Sequence, residues 1–203
     1  MKLPSCMTLK VSKCDSPCNT DNFNMSSTAT LQKALKVLGP GNVEVTDRTP
    51  IPQPQADEVL VRVIYVALNP VDAKSADLSP APGATMGCDF SGDVVAVGSA
   101  VKKALSVGDR VCGSAFGNNP DEPHNGAFAE YVVTPGDLVL KIPPDMSYQA
   151  AATLGLGLAT VGLGLFQTMK LPLPGSPALE PHFVLIHGGG TATGTLAIQL
   201  ARM

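Results

Sequence analysis

Residues 183–202 read FVLIHGGGTATGTLAIQLAR, and this stretch decides the fold. Phe183-Val184-Leu185-Ile186-His187 is a short apolar run of strand character. Gly188-Gly189-Gly190-Thr191-Ala192-Thr193-Gly194 is a glycine-rich turn, and Thr195–Arg202 has helical spacing. Strand, glycine turn and helix predict the opening βα unit of a dinucleotide-binding domain. Its glycines let the backbone approach a pyrophosphate, and its helix N-terminus offers free N–H groups and partial positive charge.

Upstream of this unit the pattern is helical. Ser147 is a candidate N-cap for a helix beginning Tyr148-Gln149-Ala150-Ala151, and a second helical stretch runs over 159–169. Leu171-Pro172-Leu173-Pro174-Gly175-Ser176-Pro177 must be a loop. Earlier still the period shifts to two. Glu58–Val66, Ser91–Gly98, Gly108–Val111 and Ala127–Val133 are strand-like runs separated by Gly and Pro turns, which suggests a compact barrel. Three regions follow: 1–29 as a disordered leader rich in Ser, Thr, Asn and Cys, 30–145 as the barrel, and 146–203 as linking helices and the start of a nucleotide-binding domain.

Composition excludes several classes. A net charge of −3 with no basic cluster argues against nucleic acid. The uncharged run 150–166 is shorter than the roughly 20 residues of a membrane span and carries recurrent glycine. The N-terminus lacks a signal-peptide pattern, which leaves a cytoplasmic location as the expectation. Five cysteines, an odd number, weaken a disulfide framework. Cys14 and Cys18 have metal-like spacing, yet no second pair or histidine lies near them, so they read as stray thiols. No Ser–His–Asp set, carboxylate pair or P-loop is present.

Asn69-Pro70-Val71-Asp72, Gly87-Cys88-Asp89-Phe90-Ser91-Gly92, Gly108-Asp109-Arg110-Val111 and Gly126-Ala127-Phe128-Ala129-Glu130-Tyr131, followed by the glycine-rich unit, form an ordered set of motifs from about residue 31 to the end. The set resembles the medium-chain dehydrogenase/reductases. The resemblance implies an α/β plus β fold: a GroES-like β-barrel followed by the first βα unit of a truncated Rossmann domain. Zinc-dependent members carry a cysteine in the first motif and Gly-His-Glu in the second. Here Asn69 stands at the cysteine position, and Cys88 and Asp89 replace histidine and glutamate. A catalytic zinc needs three protein ligands, so the resemblance implies a zinc-free branch. Within that branch, the GGGTATG turn and the Leu171–Pro174 loop are similar to the trans-acting enoyl reductases of fungal polyketide synthases.

That resemblance implies hydride transfer from NADPH to the β-carbon of an α,β-unsaturated thioester presented on an acyl carrier protein, by a monomer. Val71, Asp72, Ala73 and Lys74 would border the cofactor, together with Gly190, Thr191, Ala192 and Thr193, where the two threonine hydroxyls would donate to phosphate. Lys74 and Thr160 are the catalytic candidates, Lys74 as a cation near the developing enolate. Lys74 also reads as a solvated surface lysine, and Asp72 either orients it or caps the next turn. Thr160, Val161, Gly162, Leu163, Gly164, Leu165, Phe166 and Gln167 would line the substrate. Gly162 and Gly164 would leave room for an acyl chain or permit close helix packing. His187 reads as packing beneath the turn. The residue selecting NADPH over NADH would lie past Met203, and a chain ending there is expected to show little activity alone. A zinc-free quinone reductase and a non-catalytic partner-binding barrel are the rival readings.

Overall fold

The computed structural model describes residues 8–10, 30–176 and 183–203. Its largest element is an antiparallel sheet. Strand β4 (Glu58–Ala67) lies between β5 (Asp89–Val97) on one edge and β7 (Tyr131–Pro135) on the other, and β5 continues through β6 (Arg110–Ser114) to β8 (Leu140–Lys141). Alternation along β4 turns Val59, Val61 and Val63 into the centre. There they meet Phe90, Val94, Val111, Val132 and Val139, all essentially without solvent exposure. Each such valine contributes about 1.5 kcal/mol or more by leaving water.

A hairpin of β2 (Leu31–Gly39) and β3 (Asn42–Pro50) turns at Gly41, which needs its φ of 65°. It docks through the bridges Ala34–Ala129 and Lys36–Thr85. The strand expected over 127–133 accordingly begins only at Tyr131. Ala127 and Phe128 donate instead to Gly87 O and Met86 O, which ties the hairpin side to the sheet.

The leader reading needs a correction at β1 (Thr8–Lys10), which pairs antiparallel with Tyr65–Ala67 of β4. β7 covers only Glu58–Arg62 on that edge, so the backbone groups further along β4 are open to another strand. The rest of 1–29, including Cys14 and Cys18, lies outside the described residues.

The remaining elements are helical. α1 (Pro70–Leu78) follows β4, and α2 (Tyr148–Ala152) begins where Ser147 Oγ accepts the Ala150 N–H at 3.2 Å, as its cap reading predicts. α3 (Gly155–Gly162) starts earlier than the sequence suggested and passes into a π-helical turn, Leu163–Thr168. α4 (Ala192–Leu200) packs on α3 through Val161, Leu165 and Leu196. Among the described residues no helix is long and apolar enough to cross a membrane.

Phe183–His187 forms no strand, contrary to expectation. The first strand of a doubly wound sheet takes its hydrogen bonds from neighbouring strands, and no described residue supplies one. Alternation survives without the ladder: Val184 and Ile186 turn inward, whereas Phe183 is 100% and Leu185 95% exposed.

Candidate functional site

α1 begins with Pro70, whose missing N–H costs nothing at the first helical position. The Asp72 carboxylate reaches back to accept the Asn69 N–H at 2.7 Å. Asp72 is therefore a capping residue, buried to 6% exposure, and of its two readings this is the one the geometry supports. Val71, Ala73 and Lys74 stand on the exposed side, and Lys74 makes no hydrogen bond or ion pair with any described residue.

Behind α1 lies a group that sequence reading had treated only as replaced zinc ligands. Asp89, 1% exposed, accepts the Asn69 Nδ2–H at 2.8 Å on one oxygen and the Leu156 N–H at 2.6 Å on the other. Burial pushes its carboxyl up from 3.8 to about 6, against the lowering effect of those two donors. Burial, then the Asp72 charge, pushes the Cys88 thiol up to about 12, so it stays neutral and unreactive near neutral pH. Among the described residues no group of three or more His, Cys, Asp or Glu side chains stands together as a metal site.

Leu156 continues the connection into α3. Its carbonyl accepts the Thr160 Oγ–H at 2.7 Å, which leaves the hydroxyl oxygen outward on an exposed residue. The segment expected to line substrate divides by face. Val161 and Leu165 are buried in the α3–α4 contact with half-buried Phe166 against them, while Thr160, Leu163, Gly164 and Gln167 are exposed. A Cβ on Gly162 or Gly164 would meet nothing within 4 Å, so neither glycine serves packing here. Close approach depends on Gly157, where a Cβ would stand 2.6 Å from Leu196 Cδ1.

The glycine turn is built as a helix start. Gly188 has φ 79°, and a Cβ on Gly194 would lie 2.3 Å from Gly188 O, so both positions require glycine. Thr191 is the N-cap: its hydroxyl donates to Gly188 O at 2.8 Å and accepts the Gly194 N–H at 3.0 Å. That single proton is committed to the turn, which corrects the expected phosphate-donor role. Thr193 is exposed, and the backbone N–H groups of Ala192 and Thr193 reach no acceptor among the described residues. A Cβ on Gly190 would meet only open space. Two free amides at the positive end of a helix, with room beside them, fit a dinucleotide pyrophosphate. His187 is exposed, not packed beneath the turn, because no strand among the described residues lies there to cover it.

Comparison with known proteins agrees with this architecture. Residues 55–144 match the alcohol dehydrogenase GroES-like domain. The solved alcohol dehydrogenase superfamily protein of Novosphingobium aromaticivorans superposes with a TM-score of 0.70 at 30% identity, covering 85% of this chain and 50% of that one. Its fold is that of the medium-chain dehydrogenase/reductases. Other solved proteins of this fold include the quinone oxidoreductase of Coxiella burnetii, at TM-score 0.64 and 31% identity over 85% of this chain and 53% of that one. A mycobacterial member was solved in complex with NADPH, at TM-score 0.55 and 29% identity over 70% of this chain and 43% of that one. Among curated relatives, a trans-enoyl reductase of Talaromyces variabilis is 52% identical over 188 residues, 85% of this chain and 50% of its own. One of Penicillium oxalicum is 52% identical over 188 residues, 88% of this chain and 51% of its own. The chain thus spans about half the length of these relatives.

As a medium-chain reductase fold, the chain brings its predicted residues together unequally. Val71–Lys74 and the Leu156–Thr160 turn join through Asp89, while the turn at 190–193 reaches them only through the packing of α4 on α3. Asp89 and Gly157 were missed as functional positions. The signal for Asp89 was an acidic residue at a strand start inside an otherwise apolar motif.

Proposed function

We propose that this chain carries the GroES-like barrel (30–145) and first cofactor-binding unit (146–203) of a trans-acting enoyl reductase. It would reduce an α,β-unsaturated polyketide thioester held on the acyl carrier protein of a synthase. The observation that carries the reading is the pair of free amides at Ala192 and Thr193 above a glycine turn, in a chain half identical to fungal trans-enoyl reductases.

Bound there, NADPH would supply the hydride. The protein's part is placement and charge. Gly190, Thr191, Ala192 and Thr193 hold the pyrophosphate end, chiefly through the backbone amides. Val71, Ala73 and Lys74 border the nicotinamide end, with Asp72 fixing their helix. Exposed Thr160, Leu163, Gly164 and Gln167 offer a surface to the acyl chain, with Val161 and Leu165 supporting it from below. Lys74, a free cation on an exposed face, stabilises the enolate oxygen that develops as the β-carbon is reduced. A zinc-free site is supported by Asn69 and Asp89, which satisfy each other by hydrogen bond. We assign the protein to the cytoplasm as a monomer.

Titrating the 203-residue chain with NADPH by calorimetry tests the reading. Saturable binding that raises the melting temperature supports it; no heat and no shift at millimolar NADPH argues against a usable cofactor site. A second reading, a quinone reductase, is favoured by the solved quinone oxidoreductase neighbour. Turnover of a soluble quinone without turnover of an enoyl thioester would select it.

A further inference from the structure

We propose that Asp89 is a positioning residue, a carboxylate clamp that ties the start of α1 to the start of α3 and thereby sets the placement of the candidate site residues those two helices carry. Its two oxygens serve two different elements. One takes the side-chain N–H of Asn69, the N-cap of α1, at 2.8 Å, and the other takes the backbone N–H of Leu156, the second residue of α3, at 2.6 Å. The partners lie 20 and 67 positions away in sequence, so neither bond is local.

Both partners lead to candidate site residues. Asn69 immediately precedes the segment bearing Val71 and Lys74, and Leu156 O holds the Thr160 hydroxyl at 2.7 Å. Gly155 makes the approach feasible, since a Cβ there would stand 2.8 Å from Asp89 Oδ1 and 2.3 Å from Gly113 O.

Chemistry singles out a carboxylate for the task. It is the shortest side chain with two acceptors and no donor, so both N–H partners meet an oxygen, whereas an aliphatic side chain of similar size would leave both unmet. No described lysine or arginine pairs with Asp89. A buried carboxylate without a cation is a net cost to folding, so its value lies in where it holds its donors. What the clamp positions rests on the reductase reading; the clamp itself does not.

The test compares the wild-type chain, Asp89→Leu and the exchange Asn69→Asp/Asp89→Asn by amide hydrogen exchange and NADPH titration. Asp89→Leu removes both acceptors and is expected to lower protection of the Leu156 amide by about tenfold to a hundredfold, the loss of a hydrogen bond to a charged group. The exchange keeps the protection, because the new carboxylate at position 69 accepts from the new amide, whose oxygen still takes the Leu156 N–H. Unchanged protection in Asp89→Leu, or loss of protection in the exchange, overturns the clamp. Should Asp89→Leu not fold, the exchange decides: a folded chain with a protected Leu156 amide supports the clamp, and failure to fold overturns it. NADPH affinity falls in Asp89→Leu and is kept in the exchange if the residues the clamp positions border the cofactor. Absence of NADPH binding in the wild type removes the reductase reading while amide exchange still judges the clamp.

Discussion

Gly155 rests against Gly113: a Cβ on the helix residue would stand 2.3 Å from the strand residue's carbonyl oxygen. The obstacle is backbone, which cannot rotate away as a side-chain tip can. Gly155→Ala must therefore push α3 off β6. Overpacking of this kind costs about 1–3 kcal/mol, even after the gain in helix propensity. In a chain of this size that is a fall in Tm of about 2–10 °C. Gly162→Ala is the control in the same helix. Its Cβ meets nothing within 4 Å, so it should be neutral or stabilising by up to about 1 kcal/mol. Thermal melts of the two variants should move in opposite directions; equal falls would mean that α3 is not seated on the sheet at Gly155.

Asp89 gives the chain an unusual pH response. Its carboxyl is raised from 3.8 to about 6 in the fold, so the folded protein binds this proton more tightly than the unfolded chain does. Rising pH therefore removes stability between about 4 and 6, and above that window the loss is complete and constant. Burial also raises Asp72, which acts in the same direction. Asp109, lowered chiefly by its hydrogen bond to Lys141, acts oppositely, losing its contribution only as pH falls below the ordinary carboxylate range. The Asp89 carboxyl carbon should titrate with a midpoint near 6 by NMR. Stability measured across this window should lose most of its slope in Asp89→Asn. A midpoint near 4 would mean that the residue is solvated.

Legibility from sequence followed the range of the interactions. β4 could be read because its burial pattern is written in adjacent residues, and Ser147 because a cap acts three residues away. Phe183–Ile186 could not, since its apolar alternation predicts a strand only where a neighbour supplies the ladder. Small residues in α3 announced close approach without saying which face approached. Gly157 packs on Leu196, while Gly162 and Gly164 face open space. Asp89 was illegible for a related reason: its donors are 20 and 67 residues distant, and only folding brings them to one carboxylate.

Thr191 is a cap before it is anything else. Its hydroxyl bridges Gly188 O and the Gly194 N–H, so Thr191→Val removes both bonds and should cost about 1 kcal/mol. The loss frees α4's first turn and should weaken NADPH binding severalfold. Thr191→Ser keeps the cap and should bind as the wild type does. Thr193→Val leaves the backbone N–H in place and should change affinity less than Thr191→Val does. Calorimetric Kd values for the three variants give the order. A larger loss from Thr193→Val would return the phosphate contact to the threonine hydroxyl.

Lys74 is the sharpest point at which the proposed chemistry meets an ordinary alternative. Lys74 is exposed and makes no hydrogen bond or ion pair with any described residue, so removing its ammonium breaks no polar contact among them. Lys74→Ala should therefore leave the Tm within about 1–2 °C of the wild type, as surface substitutions do. If the ammonium faces the enolate oxygen, kcat on an enoyl thioester falls. A preorganised oxyanion donor is worth about 10²–10³ in rate, and solvent around an exposed lysine lowers that toward about tenfold. Lys74→Arg keeps the charge and should recover part of the rate, while Lys74→Gln, which keeps length without charge, should not. Raising ionic strength should narrow the gap between wild type and Lys74→Ala, since the interaction is screened. A wild-type kcat in Lys74→Ala at saturating NADPH would reduce Lys74 to a solvated surface residue and leave the enolate to be stabilised by another group.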